Sequence, residues 1–266
     1  MIMQIRVSHS TEYNYNIPIY YALQRLRLTP RSGRGQTVIN WQTDIEGARV
    51  EVTYDDHFGN LTQLLSAEGD PHMIRIVAHG EVVTEDVNGV SGPHVGYAPL
   101  WLYLRDTHLT RAGKPIRDLA RSIPGKEPLE RLHGLMATIS DKVAYEIGTT
   151  DAQTTAEEAL ENGSGVCQDH SHIFLSAARY LDFPSRYVSG YLLMDDRTEQ
   201  VATHAWAEAF VEGLGWVGFD AANGISPDER YIRIATGLDF VDVSPVSGIR
   251  HGNSTETLAV AITVEQ

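Results

Sequence analysis

The segment HAWAEAFVEGLGWVGFD, residues 204–220, gives the clearest indication of fold in the chain. Small and large residues alternate on both sides of a Glu-Gly-Leu-Gly turn, which is typical of a β-hairpin with half-buried strands. A loop of three residues, Glu212–Leu214, would put Asp220 diagonal to His204 on one face, within hydrogen-bonding reach. A loop of even length would put the two side chains on opposite faces. We therefore predict an odd loop or a compensating bulge.

The only cysteine of the chain lies upstream of this hairpin, in NGSGVCQDH, residues 162–170. A glycine-containing turn that runs into a helical pattern predicts that Cys167 lies at a helix N-terminus. The helix dipole and the unpaired amide N–H groups there favour a thiolate. The same amides could bind the oxyanion of a tetrahedral intermediate. A small buried cysteine without chemistry is the alternative.

Cys167, His204 and Asp220 together supply the residue types of a thiol acyl-transfer site. The thiol is the nucleophile, the imidazole takes its proton, and the carboxylate orients the imidazole. The order of the three residues along the chain is not specific. The prediction depends on their local settings, a thiol at a helix start and a histidine and aspartate on one hairpin.

The rest of the second half alternates between helical and extended patterns. Helical spacing of apolar residues predicts helices over 116–122, 129–143, 155–162 and 166–181, with Thr154 or Thr155 capping the third. From Ser185 the period returns to two. Helices followed by strands indicate an α+β arrangement.

The first half alternates apolar and polar residues at period two, which predicts about six antiparallel strands in a β-sandwich. These strands are expected near residues 4–8, 22–28, 37–45, 48–54, 61–67 and 73–84. A stretch rich in glycine and proline, Asn88–Pro99, follows them. We therefore divide the chain into an N-terminal β-sandwich domain, 1–95, and a catalytic core, 96–266.

Composition excludes several classes of protein. The 266 residues carry a formal net charge of -14, so nucleic acid and anionic membrane surfaces are not expected partners. A single cysteine forms no internal disulfide and no thiolate zinc site. Without a signal peptide or a long apolar run, the expected location is the cytoplasm.

Several motifs resemble the bacterial transglutaminase-like superfamily, whose members include papain-like thiol proteases. The core motifs are GVCQDHSH (165–172), RYVSGY (186–191), HAW (204–206) and GWVGFD (215–220). The regions 13–30, 58–60 and 237–245 resemble members that carry an N-terminal β-domain. The resemblance implies a papain- or transglutaminase-like core of helices packed on an antiparallel sheet. It also implies Cys167 as nucleophile, His204 as base and Asp220 as orienting group. No cofactor is expected.

The sequence departs from the family pattern at two places. Ala221-Ala222-Asn223 follows Asp220 where the family commonly has Pro-Thr-Asn, so Asn223 is retained as a structural support. Leu238 stands where members often carry arginine. Neither change removes a residue of the proposed triad, although contacts at the rim of the cleft are expected to differ.

Three further residues are candidates for the oxyanion site or the cleft. Gln168 could donate to the oxyanion, although a glutamine on the helix surface is an equal alternative. Tyr145 could line the cleft. Trp206 shares the strand face of His204 and could shield the imidazole, with a core tryptophan as the simpler interpretation.

Asp169 and His172 are three residues apart, so we expect them to form a structural pair on the helix, with contact to the substrate as the alternative. His170 and His172 diverge on a helix and have no companion ligands, so no metal site is expected.

These features predict a cysteine acyl-transfer enzyme that acts on peptide or isopeptide amide bonds of a peptide or protein substrate. Hydrolysis is favoured over amine transfer. The alternatives are a protein-glutamine transamidase and a non-catalytic module that binds a partner protein through the N-terminal β-domain. Acidic residues before and after Asp151 hint at a cationic substrate; they are Glu146, Glu157, Glu158 and Glu161.

Overall fold

The structure is a computed structural model that describes residues 2–266. Seven strands precede the first helix: β1 (Ile2–Tyr15), β2 (Tyr21–Leu26), β3 (Gln36–Glu46), β4 (Ala48–Asp55), β5 (Leu61–Ala67), β6 (Met73–Glu85) and β7 (Val90–Gly92). The first six confirm the six strands predicted from the alternating pattern. The turn after β4 is held by Asp56, whose Oδ1 accepts hydrogen bonds from the N–H groups of Phe58 and Asn60.

The middle of the chain is mainly helical, with α1 (Lys114–Ser122), α2 (Pro128–Lys142), β8 (Ala144–Tyr145), α3 (Ala156–Asn162), β9 (Ser164–Gly165) and α4 (Cys167–Tyr180). The four helices confirm the four predicted segments. Thr155 caps α3 by accepting from the Glu158 N–H, and the Glu158 side chain accepts in return from the Thr155 N–H. Gly163 ends this helix with a φ of 66°, a conformation that favours glycine.

The last third of the chain is mostly extended. It contains β10 (Ser185–Leu192), β11 (Glu199–Gln200), β12 (His204–Val211), β13 (Gly215–Phe219), β14 (Tyr231–Gly237), α5 (Phe240–Val243), β15 (Val246–His251) and β16 (Glu256–Glu265).

Three antiparallel sheets contain all these strands except β8 and β9, which form a short parallel pair. The core sheet has the order β14-β10-β12-β13-β7, and α4 packs against it. The first N-terminal sheet has the order β11-β16-β1-β6-β3, and the second has the order β15-β2-β5-β4. An α+β fold, with N-terminal antiparallel sheets and helices packed on a further antiparallel sheet, is therefore confirmed.

The two C-terminal strands belong to the N-terminal sheets. β16 pairs with β1 over ten residues, and β15 pairs with β2 over six. In the other direction, β7 pairs with β13 of the core sheet. The division at residue 95 assigns β15 and β16 to the core, whereas their hydrogen bonds place them with the sandwich. Alternating patterns show that a segment is extended, but they do not show which distant strand it joins.

Helix α4 is the centre of the molecule. Twelve of its 14 residues are buried, among them Ile173, Phe174 and Ala177 at 0% exposure. The same hydrophobic core includes Ile5 and Val7 of β1 and Val264 of β16. The first N-terminal sheet packs on the core sheet, where His9 and Trp41 contact the ring of Tyr191 on β10. Within residues 2–266, no helix is long and apolar enough to cross a membrane.

Candidate active site

The β12–β13 hairpin has the three-residue loop that the parity argument requires. Val211 pairs with Gly215, so Glu212–Leu214 form the loop, and Ala207 pairs with Phe219 at the other end. Gly213 and Gly215 adopt φ values of 84° and 85°, where a side chain would be strained. The prediction of an odd loop is confirmed, and His204 and Asp220 lie on one face.

His204 Nε2 lies 2.6 Å from Asp220 Oδ2, and both side chains are almost fully buried. Four further donor groups hold the carboxylate. Asn223 Nδ2 donates to Oδ2 at 2.7 Å, and the Tyr231 hydroxyl donates to the same oxygen at 2.8 Å. The backbone N–H groups of Ala222 and Asn223 donate to Oδ1. Asp220 is therefore held in one orientation from both oxygens.

These contacts determine the charges of the pair. Burial alone would raise the pKa of Asp220, but the hydrogen bonds from His204, Asn223 and Tyr231 hold it below the ordinary value. Burial alone would lower the pKa of His204, but hydrogen bonds and charges from Asp220 and Cys167 raise it to about 10. At neutral pH the site therefore favours an imidazolium beside a carboxylate.

Cys167 is the first residue of α4, as the sequence predicts, and it is 9% exposed. The preceding backbone is fixed by Asp169, whose Oδ2 accepts from the Val166 N–H and from the Thr150 hydroxyl, each at 2.7 Å. The N–H groups of Cys167 and Gln168 lie in the first turn, where no acceptor of the helix can reach them. They are the donors available to an oxyanion next to the thiol.

Cys167 and His204 line one cavity of about 490 Å³. The hydrogen bond of His204 Nε2 to Asp220 leaves Nδ1 for the thiol. Tyr145 of β8 lines the same cavity. Burial and the nearby charges of Cys167 and Asp220 raise the pKa of its hydroxyl to about 12. The cavity therefore brings together a thiol, an imidazole and a phenol.

The first N-terminal sheet also lines this cavity. Thr11 and Tyr13 of β1 and Leu258 and Val260 of β16 line it, as does the loop that contains β11. The predicted acidic cluster has no part in the cavity. Glu157 instead accepts from the Gly113 N–H, and the remaining four acids do not line it either. The hint of a cationic substrate therefore has no support in the cavity.

Comparison with known proteins identifies the family. Residues 117–221 match the transglutaminase-like superfamily, and residues 5–83 match the bacterial transglutaminase-like N-terminal region. The chain belongs to the transglutaminase-like superfamily. The fold of a protein from Cytophaga hutchinsonii, described as a putative cysteine protease, matches with a TM-score of 0.78 at 19% identity, over 100% of this chain and 92% of that one.

Similar sequences occur in mycobacteria. An uncharacterized protein from Mycobacterium leprae is 29% identical over 98% of both chains. An uncharacterized protein from Mycobacterium tuberculosis is 29% identical over 95% of this chain and 89% of its own.

The residues that depart from the family pattern, Ala221 and Ala222, do not disturb the hydrogen bonds to the Asp220 carboxylate. Ala221 is buried, and the next two backbone N–H groups both donate to Asp220. At the second departure, the Leu238 carbonyl accepts from the buried Arg179 at 2.6 Å. This bond uses the main chain, so it does not depend on the residue at 238.

The cleft candidates take different positions. Tyr145 and Gln168 line the cavity, but Gln168 Nε2 lies 3.5 Å from the Ala152 carbonyl, at the limit of a hydrogen bond. Trp206 does not line the cavity. Its ring stacks on that of His204, with centroids 6.3 Å apart, and it is 2% exposed. It covers the imidazole on the side of the core.

The expected pair between Asp169 and His172 is wrong. Asp169 bonds the backbone and Thr150 before the helix, whereas His172 Nε2 accepts from the Phe240 N–H at 3.2 Å. At the start of a helix the backbone N–H groups have no partner within the helix. A carboxylate in the first turn therefore binds such an N–H group rather than a side chain one turn later. His170 and His172 point to different neighbours, as expected. Both ring nitrogens of His170 contact backbone carbonyls, those of Val166 and Val143, whereas His172 contacts the N–H of Phe240.

Sequence reasoning missed Tyr231 and the cavity wall on β1 and β16. Tyr231 lies on β14, which becomes a neighbour of the site only through its pairing with β10. The alternation of YIRIA, residues 231–235, was a signal for a strand, but it did not show that a tyrosine hydroxyl would reach Asp220.

Proposed function

We propose that this chain is a cysteine acyl-transfer enzyme that acts on peptide or isopeptide amide bonds through a thioester, with hydrolysis as the main outcome. One observation carries the proposal. A thiol at the start of a buried helix shares a cavity with an imidazole that is hydrogen-bonded, at 2.6 Å, to a buried carboxylate. Membership of the transglutaminase-like superfamily supports the same chemistry.

The proposed reaction has two halves. In the first, the Cys167 thiolate attacks the amide carbonyl, and the N–H groups of Cys167 and Gln168 stabilise the oxyanion. The His204 imidazolium then protonates the leaving amine as the carbon–nitrogen bond breaks, which leaves a thioester and a neutral imidazole. In the second, His204 takes a proton from the acceptor, which attacks the thioester and releases the thiolate.

Access of water to the thioester favours hydrolysis. Tyr145, which lies beside Cys167, is 52% exposed, so the cavity opens to solvent next to the sulfur. Amine transfer requires that water be excluded from this position. A non-catalytic module would not require the five hydrogen bonds that hold the Asp220 carboxylate.

The proposal is tested by trapping the acyl-enzyme. The protein is incubated with a mixture of peptides, quenched in acid, and analysed by intact mass and by peptide mapping. We expect a thioester adduct on Cys167 that is absent from the Cys167→Ala variant. Incorporation of one ¹⁸O from labelled water into the released acid identifies hydrolysis, and capture of an added primary amine identifies transfer. Absence of any adduct across a broad peptide set would contradict the proposal.

A further inference from the structure

Strand β16 has an open edge beside the cavity. β1 covers one side of β16 along its whole length. On the other side, β11 pairs only with Ile262 and Thr263, and the Val264 N–H donates to the Thr198 carbonyl at 3.0 Å. Main-chain groups of alternate residues point to the same side of a strand. The N–H and C=O groups of Leu258 and Val260 therefore point to the side of β11, and no strand within residues 2–266 pairs with them there.

This open edge borders the cavity of the reacting groups. Leu258 and Val260 line the cavity that contains Cys167 and His204. Their partners on β1, Tyr13 and Thr11, line it as well. The pairing of β11 with β16 ends at Gln200, and the chain reaches His204 four residues later. The cavity therefore begins where this pairing ends.

The wall along this edge is uncharged. Its side chains are aliphatic, aromatic or hydroxyl-bearing, apart from His9, which is 2% exposed. His9 Nδ1 contacts the Tyr191 hydroxyl at 2.8 Å, and burial lowers the pKa of His9 to about 4. Apart from Cys167 and His204, the charged residues of the cavity are Arg197 and Glu199, both in the exposed loop, where Arg197 bonds Asp196 at 2.8 Å. A charged substrate side chain would find no partner along the β16 wall.

We propose that the open edge of β16 binds the substrate as an added strand, with an uncharged apolar side chain against Leu258 and Val260. This inference rests on the proposed function, because it assigns the substrate of the same thiol. Main-chain hydrogen bonds to Leu258 and Val260 supply affinity, and the apolar wall supplies selectivity. The N-terminal sheet is thereby part of the substrate site, and the preferred acyl donor is an extended peptide with a leucine-like side chain close to the scissile amide.

The test uses dipeptidyl chloromethyl ketones that differ in one side chain, leucine, aspartate or lysine. These reagents alkylate thiols and can also alkylate histidine, so peptide mapping and the Cys167→Ala variant identify the part of the intact-mass change that belongs to Cys167, the only cysteine of the chain. Each rate is divided by the rate with iodoacetamide, which measures thiol reactivity alone. We expect the normalised rate of the leucine reagent to exceed those of the aspartate and lysine reagents by about tenfold or more.

Variants separate the edge from the rest of the cavity. Val260→Pro removes an N–H that points to the open side and leaves the ladder to β1 intact. We expect it to lower the normalised rate of the leucine reagent by roughly threefold to tenfold, the range for one lost hydrogen bond. Leu258→Asp, at a side chain that is 56% exposed, tests the apolar wall without a change in the backbone. Ile249→Asp is the matched control, since Ile249 is 66% exposed on β15 and does not line the cavity.

Equal normalised rates for the three reagents would overturn the inference. So would wild-type behaviour of both Val260→Pro and Leu258→Asp. A failure of the proposed function would appear elsewhere, as a slow iodoacetamide reaction that does not depend on His204.

Discussion

The hydroxyl of Tyr231 donates a 2.8 Å hydrogen bond to the oxygen of Asp220 that also accepts from His204. Tyr231 comes from β14, on the far edge of the core sheet from β13. Its ring packs against Trp206, with centroids 5.4 Å apart, and Trp206 stacks on His204. Tyr231 is therefore a positioning residue, which fixes the carboxylate and is itself fixed by the neighbouring tryptophan.

Tyr231→Phe tests this positioning role. The variant keeps the ring and removes one hydrogen bond to a charged acceptor, worth about 1.5–3 kcal/mol. We expect the rate of Cys167 alkylation at pH 6 to fall by roughly tenfold. The acid limb of its pH profile should shift to higher pH, because Asp220 loses a hydrogen-bond donor that lowers its pKa. A pH profile that matches the wild type, in a variant with an unchanged free energy of unfolding, would contradict the role.

Asp220 is predicted to control the titration of His204. With Asp220 and Cys167 beside it, the pKa of His204 is raised to about 10 despite burial. In ¹⁵N NMR of the imidazole we expect a titration midpoint near pH 10, so that the ring stays protonated through the neutral range. In Asp220→Asn the midpoint should move toward the ordinary value near 6.5. A midpoint near 6.5 in the wild type would contradict the proposed charge state.

The sequence predicts the contacts between residues that are close along the chain, and it does not predict those between distant segments. The His204–Asp220 pair lies on one hairpin, so alternation and the length of the 212–214 loop were enough to place both side chains. The cap of α3 is equally local, since Thr155 and Glu158 are three residues apart. The contact of Tyr231 with Asp220 depends on the order of strands in the core sheet. The pairing of β16 with β1 joins opposite ends of the chain, and no local pattern specifies it.

His9 is predicted to make the protein sensitive to acid. Burial lowers the pKa of this histidine to about 4, against 6.5 in the unfolded chain, so the unfolded state binds more protons between these values. The stability that His9 contributes is present above pH 6.5 and is lost as the pH falls toward 4. Between pH 7 and pH 5 we expect a loss of about 2 kcal/mol from this group.

Urea unfolding of the wild type and of His9→Gln at both pH values measures this loss. The difference between pH 7 and pH 5 should shrink by about 2 kcal/mol in His9→Gln. The same difference in the free energy of unfolding should be unchanged in His251→Gln, because His251 is exposed. An equal pH dependence in all three proteins would exclude the assignment.

Glu208 is predicted to hold the core sheet together. It is fully buried on β12, where it pairs with Arg186 of β10 and Arg233 of β14, and its pKa is about 2 because these charges outweigh burial. Glu208→Gln leaves two arginines near the interior without their partner, and we expect a loss of about 3 kcal/mol in the free energy of unfolding. Glu212→Gln, at an exposed loop position, should change it by less than about 0.5 kcal/mol. Equal stabilities for the two variants would show that the network does not support the sheet.

The central claim is that His204 activates Cys167, and the rate of iodoacetamide alkylation at pH 6 tests it most directly. An unassisted thiol with the usual pKa near 8.5 is almost wholly protonated at this pH. We predict that the wild type reacts at least about tenfold faster than His204→Ala, and that His251→Ala reacts like the wild type. A slow reaction of the wild type, unchanged in His204→Ala, would contradict the account.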